Sequence, residues 1–110
     1  MTTQVESARW REQLREFTSR NAGRSVRLET DDRRCSFSWP LIDLPLRAIL
    51  QDPEQARIEL VLGERSGLGD RLTHSIEDVR AVEVRSAPNG ADRALRIVHG
   101  GGETRLVVQP

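Results

Sequence analysis

Lysine and tyrosine are absent from this 110-residue chain, and cysteine and methionine each occur once. Trp10, Phe17, Phe37 and Trp39 are the only aromatic side chains, so a base-stacking platform of the kind that holds single-stranded nucleic acid has few candidate members. Cys35 has no partner for an internal disulfide, which fits a reducing compartment and leads us to expect a cytoplasmic protein. The N-terminus carries no basic stretch followed by an apolar region, so no signal peptide is expected. No apolar run approaches the ~20 residues that span a bilayer, so no membrane partner is expected either. Charge of one sign is also missing: 17 basic residues balance 17 acidic ones, and no overall field draws the chain to nucleic acid or anionic lipid. All the basic residues are arginine, which we read first as a compositional bias and second as a supply of forks for carboxylate or phosphate.

What is present is periodic. The length suits one domain, 1–110, able to bury a modest core. Ser7 is placed to cap a helix over about 8–21, in which Trp10, Leu14 and Phe17 recur at i, i+4 and i+7 and form one apolar stripe. Asn21 and Gly23 can take the left-handed conformation that ends a helix. From Ser25 to about 109 the period is two. Val26 and Leu28 open a first strand; residues 31–43 are irregular; then Leu44, Leu46, Ala48 and Leu50 alternate. Asp52-Pro53-Glu54-Gln55 reads as a turn, and Ile58, Leu60 and Leu62 return along a partner strand. The glycine-bearing segment 63–70 reads as a loop, after which Leu72, His74 and Ile76 share one face of a short strand. Val82 and Val84 follow, and Asn89-Gly90 signals a hairpin because both residues tolerate positive φ. Leu95 and Ile97, the turn Gly100-Gly101-Gly102, and Leu106 and Val108 complete the pattern. The fold class this predicts is α+β: an N-terminal helix packed on a curved, mainly antiparallel sheet of about seven strands, or on a small partly open barrel.

The helix stripe leading to Asn21-Ala22-Gly23-Arg24, Leu44-Pro45 before Asp52-Pro53, Leu72-Thr73-His74-Ser75-Ile76 before Val82-Glu83-Val84, and the closing Ala94-Leu95-Arg96-Ile97 with its glycine turn follow one another in an order and spacing that resemble a small bacterial set, domain of unknown function family 5335. The resemblance extends over nearly the whole chain. Gln51 stands where that family often has an aromatic, and Val79 where it often has proline. The resemblance implies a stand-alone bacterial domain and no particular activity.

Four residues are candidates for binding. His74 is in phase with Leu72 and Ile76; it is a general base or metal ligand on one reading and a hydrogen-bonded histidine at the core edge on the other. No nucleophile or second ligand is spaced to join it, and His99 lies far along the chain beside the glycine turn. Trp39, before Pro40, is either a partner anchor or a plug over an open end of the sheet. Arg24 and Arg27, with Arg33 and Arg34, form a small basic set interleaved with Glu29, Asp31 and Asp32, a weak signal for nucleic acid. Cys35 follows Arg33 and Arg34, whose charge favours a thiolate, while Asp31 and Asp32 offset it. Asp31-Asp32 and Glu77-Asp78 read as solvated turn residues, since neighbours on a strand point to opposite faces.

No catalytic residue, metal or cofactor is assigned. The function expected is a non-enzymatic protein-interaction or regulatory module, with a protein partner or a second copy docking at a sheet edge. The alternatives are a weak RNA or single-strand binder and a small enzyme using His74.

Overall fold

A computed structural model describes residues 2–32, 43–52, 54–63 and 71–109. The chain begins with a short strand, β1 (Thr2–Val5), and a single 3-10 turn over Ser7–Arg9, then forms α1 (Trp10–Asn21). Seven strands follow: β2 (Ser25–Asp32), β3 (Asp43–Asp52), β4 (Arg57–Gly63), β5 (Arg71–Ile76), β6 (Val79–Ser86), β7 (Asp92–His99) and β8 (Gly102–Val108). The α+β class is therefore as expected. The strand count is eight, because β1 was not anticipated: Thr2-Thr3-Gln4 offers no apolar alternation, and only Val5 is buried.

The strands form one antiparallel sheet in the order β1-β6-β7-β8-β2-β3-β4-β5. β1 and β5 are its two edges, so the sheet is open and is not closed into a barrel. Closure fails although β5 and β6 are joined only by Glu77 and Asp78, which turn the chain with Asp78 at φ 56°. That short link brings one edge back toward β6, and Val79 N–H donates to the carbonyl of Ala56 at 2.9 Å. The sheet folds over its own core without the edge-to-edge ladder that a barrel needs.

The helix stripe works as its spacing predicts. Trp10, Leu14 and Phe17 are buried, and Asn21 extends the same line by one more turn. They meet Val26, Leu28, Leu46, Leu60, Val82, Leu95, Ile97 and Leu106 in one core. Phe17 is fully enclosed, and removing such a ring costs about 3–5 kcal/mol. Trp10 also satisfies its indole N–H within the fold, donating to the Val5 carbonyl at 3.0 Å and so tying the edge strand β1 to the helix.

Three local expectations change. Ser7 makes no capping bond; the residue lies in the 3-10 turn, ahead of the α-helical segment. Asn21 stays within the helix. Gly23 alone takes the left-handed turn at φ 84°, and Asn21 spends its side chain on hydrogen bonds. At the β6–β7 hairpin only Gly90 is left-handed, at φ 87°; Asn89 keeps negative φ and its side-chain Oδ1 accepts from Ala91 N–H. The β3–β4 hairpin forms with the expected turn, where Asp52 accepts from the Glu54 N–H at 3.1 Å.

Candidate functional site

The feature that shapes the surface is a bulge in β3. Leu46 pairs with Leu62, but the next partner pair is Ala48 with Val61, so one residue, Arg47, is extra. A one-residue shift exchanges the faces of a strand. Leu46 is buried as expected, but beyond the bulge Ile49 takes the inward position opposite Leu60, and Leu50 turns outward. The expected inward set Leu44, Leu46, Ala48 and Leu50 therefore holds for its first half and fails for its second. Leu50 is 54% exposed and is the one large exposed hydrophobic side chain among the described residues.

Leu50 stands between two depressions. The larger, about 460 Å³, runs between α1 and β3; Arg11, Arg15, Thr18 and Ser19 form one wall and Ala48 to Gln51 the other. The smaller, about 200 Å³, is bordered by Leu50, Gln51, Asp52, Arg57 and Glu59. On α1, Arg11, Arg15 and Thr18 lie at i, i+4 and i+7, a stripe next to the buried one. The helix carboxylates are drawn elsewhere: Glu12 toward Arg9 at 3.8 Å, Glu16 toward Arg20 at 4.0 Å. Among the described residues Arg11 and Arg15 have no ion-pair partner and no carboxylate lines the larger groove. Gln51, at its edge, has a buried side-chain carbonyl oxygen that no hydrogen-bond donor reaches among the described residues.

On the outer sheet face and at the end of α1, several charges are compensated. On the sheet face away from the core, Glu83 of β6 accepts from Arg96 of β7 at 2.8 Å; Arg96 also pairs with Glu103 of β8, Glu103 with Arg105 at 2.5 Å, and Arg105 with Glu29 of β2 at 3.4 Å. The hydrogen bond from Arg96 holds the Glu103 carboxyl below the usual range despite some burial. At the end of α1, Asp92 accepts from Arg20 at 2.7 Å and from Asn21 at 2.8 Å. Burial pushes the Asp92 carboxyl up, but those hydrogen bonds, with the charges of Arg20 and Arg24, outweigh it and hold the group below the usual carboxylate range.

The residues singled out from sequence fall apart in space and in role. Arg24 donates to Asn21 Oδ1 at 3.2 Å and to the Gln109 carbonyl at 3.5 Å. Arg27 forks onto Asp43 at 3.0 and 3.4 Å. His74 shares a face with Leu72 and Ile76 as expected, half-buried on the edge strand β5 opposite Leu60. Trp39 and Cys35 lie outside the described residues. His99, on β7, is buried and bonds through Nε2 to Thr104 Oγ1 at 3.1 Å, while Thr104 sits 3.4 Å from Thr30. No group of three or more His, Cys, Asp or Glu side chains with metal-binding geometry occurs among the described residues. No helix there is long and apolar enough to cross a membrane. The α1–β3 groove was missed because nothing in the alternation of β3 announces the bulge; the stripe of Arg11 and Arg15 beside the apolar one was the available signal.

Comparison with protein-family models, with curated proteins and with solved structures finds no match to this chain.

Proposed function

We propose that the protein is a non-enzymatic interaction module that docks a protein partner on the surface formed by α1 and β3. One observation carries the reading: the β3 bulge takes Leu50 out of the core and sets it between two depressions, beside two arginines that have no ion-pair partner among the described residues. An exposed leucine on its own needs no explanation. A leucine between concavities, with guanidinium groups alongside, has the mixed apolar and arginine character found at the centres of protein interfaces. The burial of Leu50 against a partner is worth up to about 1.5–3 kcal/mol if complete.

The nucleic-acid reading has less support. Arg24 and Arg27, two of the four arginines on which it rested, are hydrogen bonded within the chain; Arg33 and Arg34 lie outside the described residues; and Arg96 and Arg105 on the outer sheet face are paired with glutamates. The enzyme reading has in His74 a half-buried side chain in line with Leu72 and Ile76 on an edge strand.

The test is position-specific photo-crosslinking in the native cell. A benzophenone side chain replacing Ser19, which is exposed on the wall of the groove, should yield a discrete protein adduct. The same group replacing Arg93, exposed on β7, should not. Equal smears from both positions, or no adduct from Ser19, would remove the basis of the reading.

A further inference from the structure

We infer that the α1–β3 groove is a receptor for an acidic polypeptide segment, one whose carboxylates meet Arg11 and Arg15 while an aliphatic side chain rests on Leu50. This rests on the reading of the surface as a protein-docking site and adds the chemistry of the partner. Charge complementarity selects the partner. Arg11 and Arg15 are one helical turn apart on the groove wall, and like charges at that spacing disfavour the helix slightly. The carboxylates nearest in sequence lie toward Arg9 and Arg20, so among the described residues the groove has two guanidinium groups and no counter-charge. Two planar forks on successive turns suit carboxylates spaced along a chain.

The opposite wall decides between classes of anion. Ala48, Ile49 and Leu50 give it an aliphatic surface, and among the described residues no aromatic side chain lines the groove to stack a base. The Thr18 hydroxyl, which could have served a phosphate, already donates to the Leu14 carbonyl at 2.8 Å. An anion that also carries aliphatic side chains fits both walls, and glutamate or aspartate interspersed with leucine, isoleucine or valine supplies that combination.

The experiment uses the full chain and two short synthetic peptides with capped ends, one alternating leucine and glutamate, the other leucine and glutamine. Binding is followed by NMR at low salt through the Leu50 amide and the Nε–Hε signals of Arg11 and Arg15. The glutamate peptide should shift all three sets and bind about tenfold more tightly than the glutamine peptide, as expected for charge-assisted bonds partly open to water. Arg11→Gln with Arg15→Gln should erase that preference, and added salt should reduce it. Equal binding of both peptides at Leu50 overturns the acidic preference and leaves the docking surface intact. Binding that shifts neither arginine, or no binding of the glutamate peptide, overturns the inference. Stronger displacement by a short oligouridylate than by the glutamine peptide would assign the arginines to nucleic acid instead.

Discussion

Asp92, the first residue of β7, accepts a 2.7 Å hydrogen bond from the Arg20 Nε–H near the end of α1, across 72 positions of sequence. The Asp92 carboxylate is 6% exposed, and the Asn21 amide donates to the same oxygen. This contact fastens the C-terminal end of the helix to the β6–β7 hairpin, and the Trp10–Val5 bond fastens its beginning.

Replacing Asp92 with alanine should cost about 1–2 kcal/mol, since it removes charge-assisted bonds from a nearly buried group. Arg20→Gln should cost less, because that side chain is half exposed. The pH dependence has a definite sign. The folded pKa of Asp92 lies below its unfolded value, so its contribution is complete above the unfolded pKa of about 4 and disappears as pH falls through the folded value. Denaturant unfolding of parent and Asp92→Ala as a function of pH should therefore converge in acid.

Glu103 is the shared acceptor between Arg96 and Arg105, which stand directly opposite each other on β7 and β8. Without its charge the two guanidinium groups face one another with only Glu83 and Glu29 at the flanks. Glu103→Gln should lower stability by about 1 kcal/mol at low salt and by less at high salt, as screening weakens the repulsion it exposes. A loss that does not change with salt would mean that packing, not charge, dominates at that position.

Thr104 carries a buried hydroxyl within 3.1 Å of His99 Nε2 and 3.4 Å of Thr30 Oγ1. Thr104→Val keeps the shape and leaves the buried ring nitrogen unpaired, which should cost about 1–3 kcal/mol. Thr104→Ser keeps the hydroxyl and should cost less. If His99→Phe cancels most of the valine penalty in a double-mutant cycle, the pair is responsible; additive losses would show that each side chain acts alone.

Gln51 is the inverse case. Its carbonyl oxygen is buried with no donor among the described residues, so Gln51→Leu should raise stability by about 1 kcal/mol, visible as a higher melting temperature. No gain would mean that the amide finds compensation in solution.

The sequence carried the elements whose signals are local. Trp10, Leu14 and Phe17 mark the buried helix face, and Ile58, Leu60 and Leu62 the inner face of β4, because apolar spacing is set by backbone periodicity alone. It did not carry β1, whose place at the sheet edge depends on pairing with β6 far along the chain. Nor did it carry the phase of β3 beyond Leu46, because a bulge is decided by pairing with β4. The candidate site was hidden for that reason: with unbroken alternation Leu50 is a core residue, and only the bulge makes it a surface one. Arg24 and Arg27 attracted notice as a basic cluster, but their acceptors, the Gln109 carbonyl and Asp43, are brought to them by the fold.

The most direct measurement of the account compares Leu50→Ser with the parent chain in two readouts, thermal unfolding and crosslinking from position 19. Stability within about 0.5 kcal/mol of the parent, together with loss of the discrete adduct, is the predicted result, because an exposed leucine serves the partner and not the core. Destabilisation by about 2–4 kcal/mol would contradict it by placing Leu50 inside, and an adduct that persists unchanged would show that the partner does not use it.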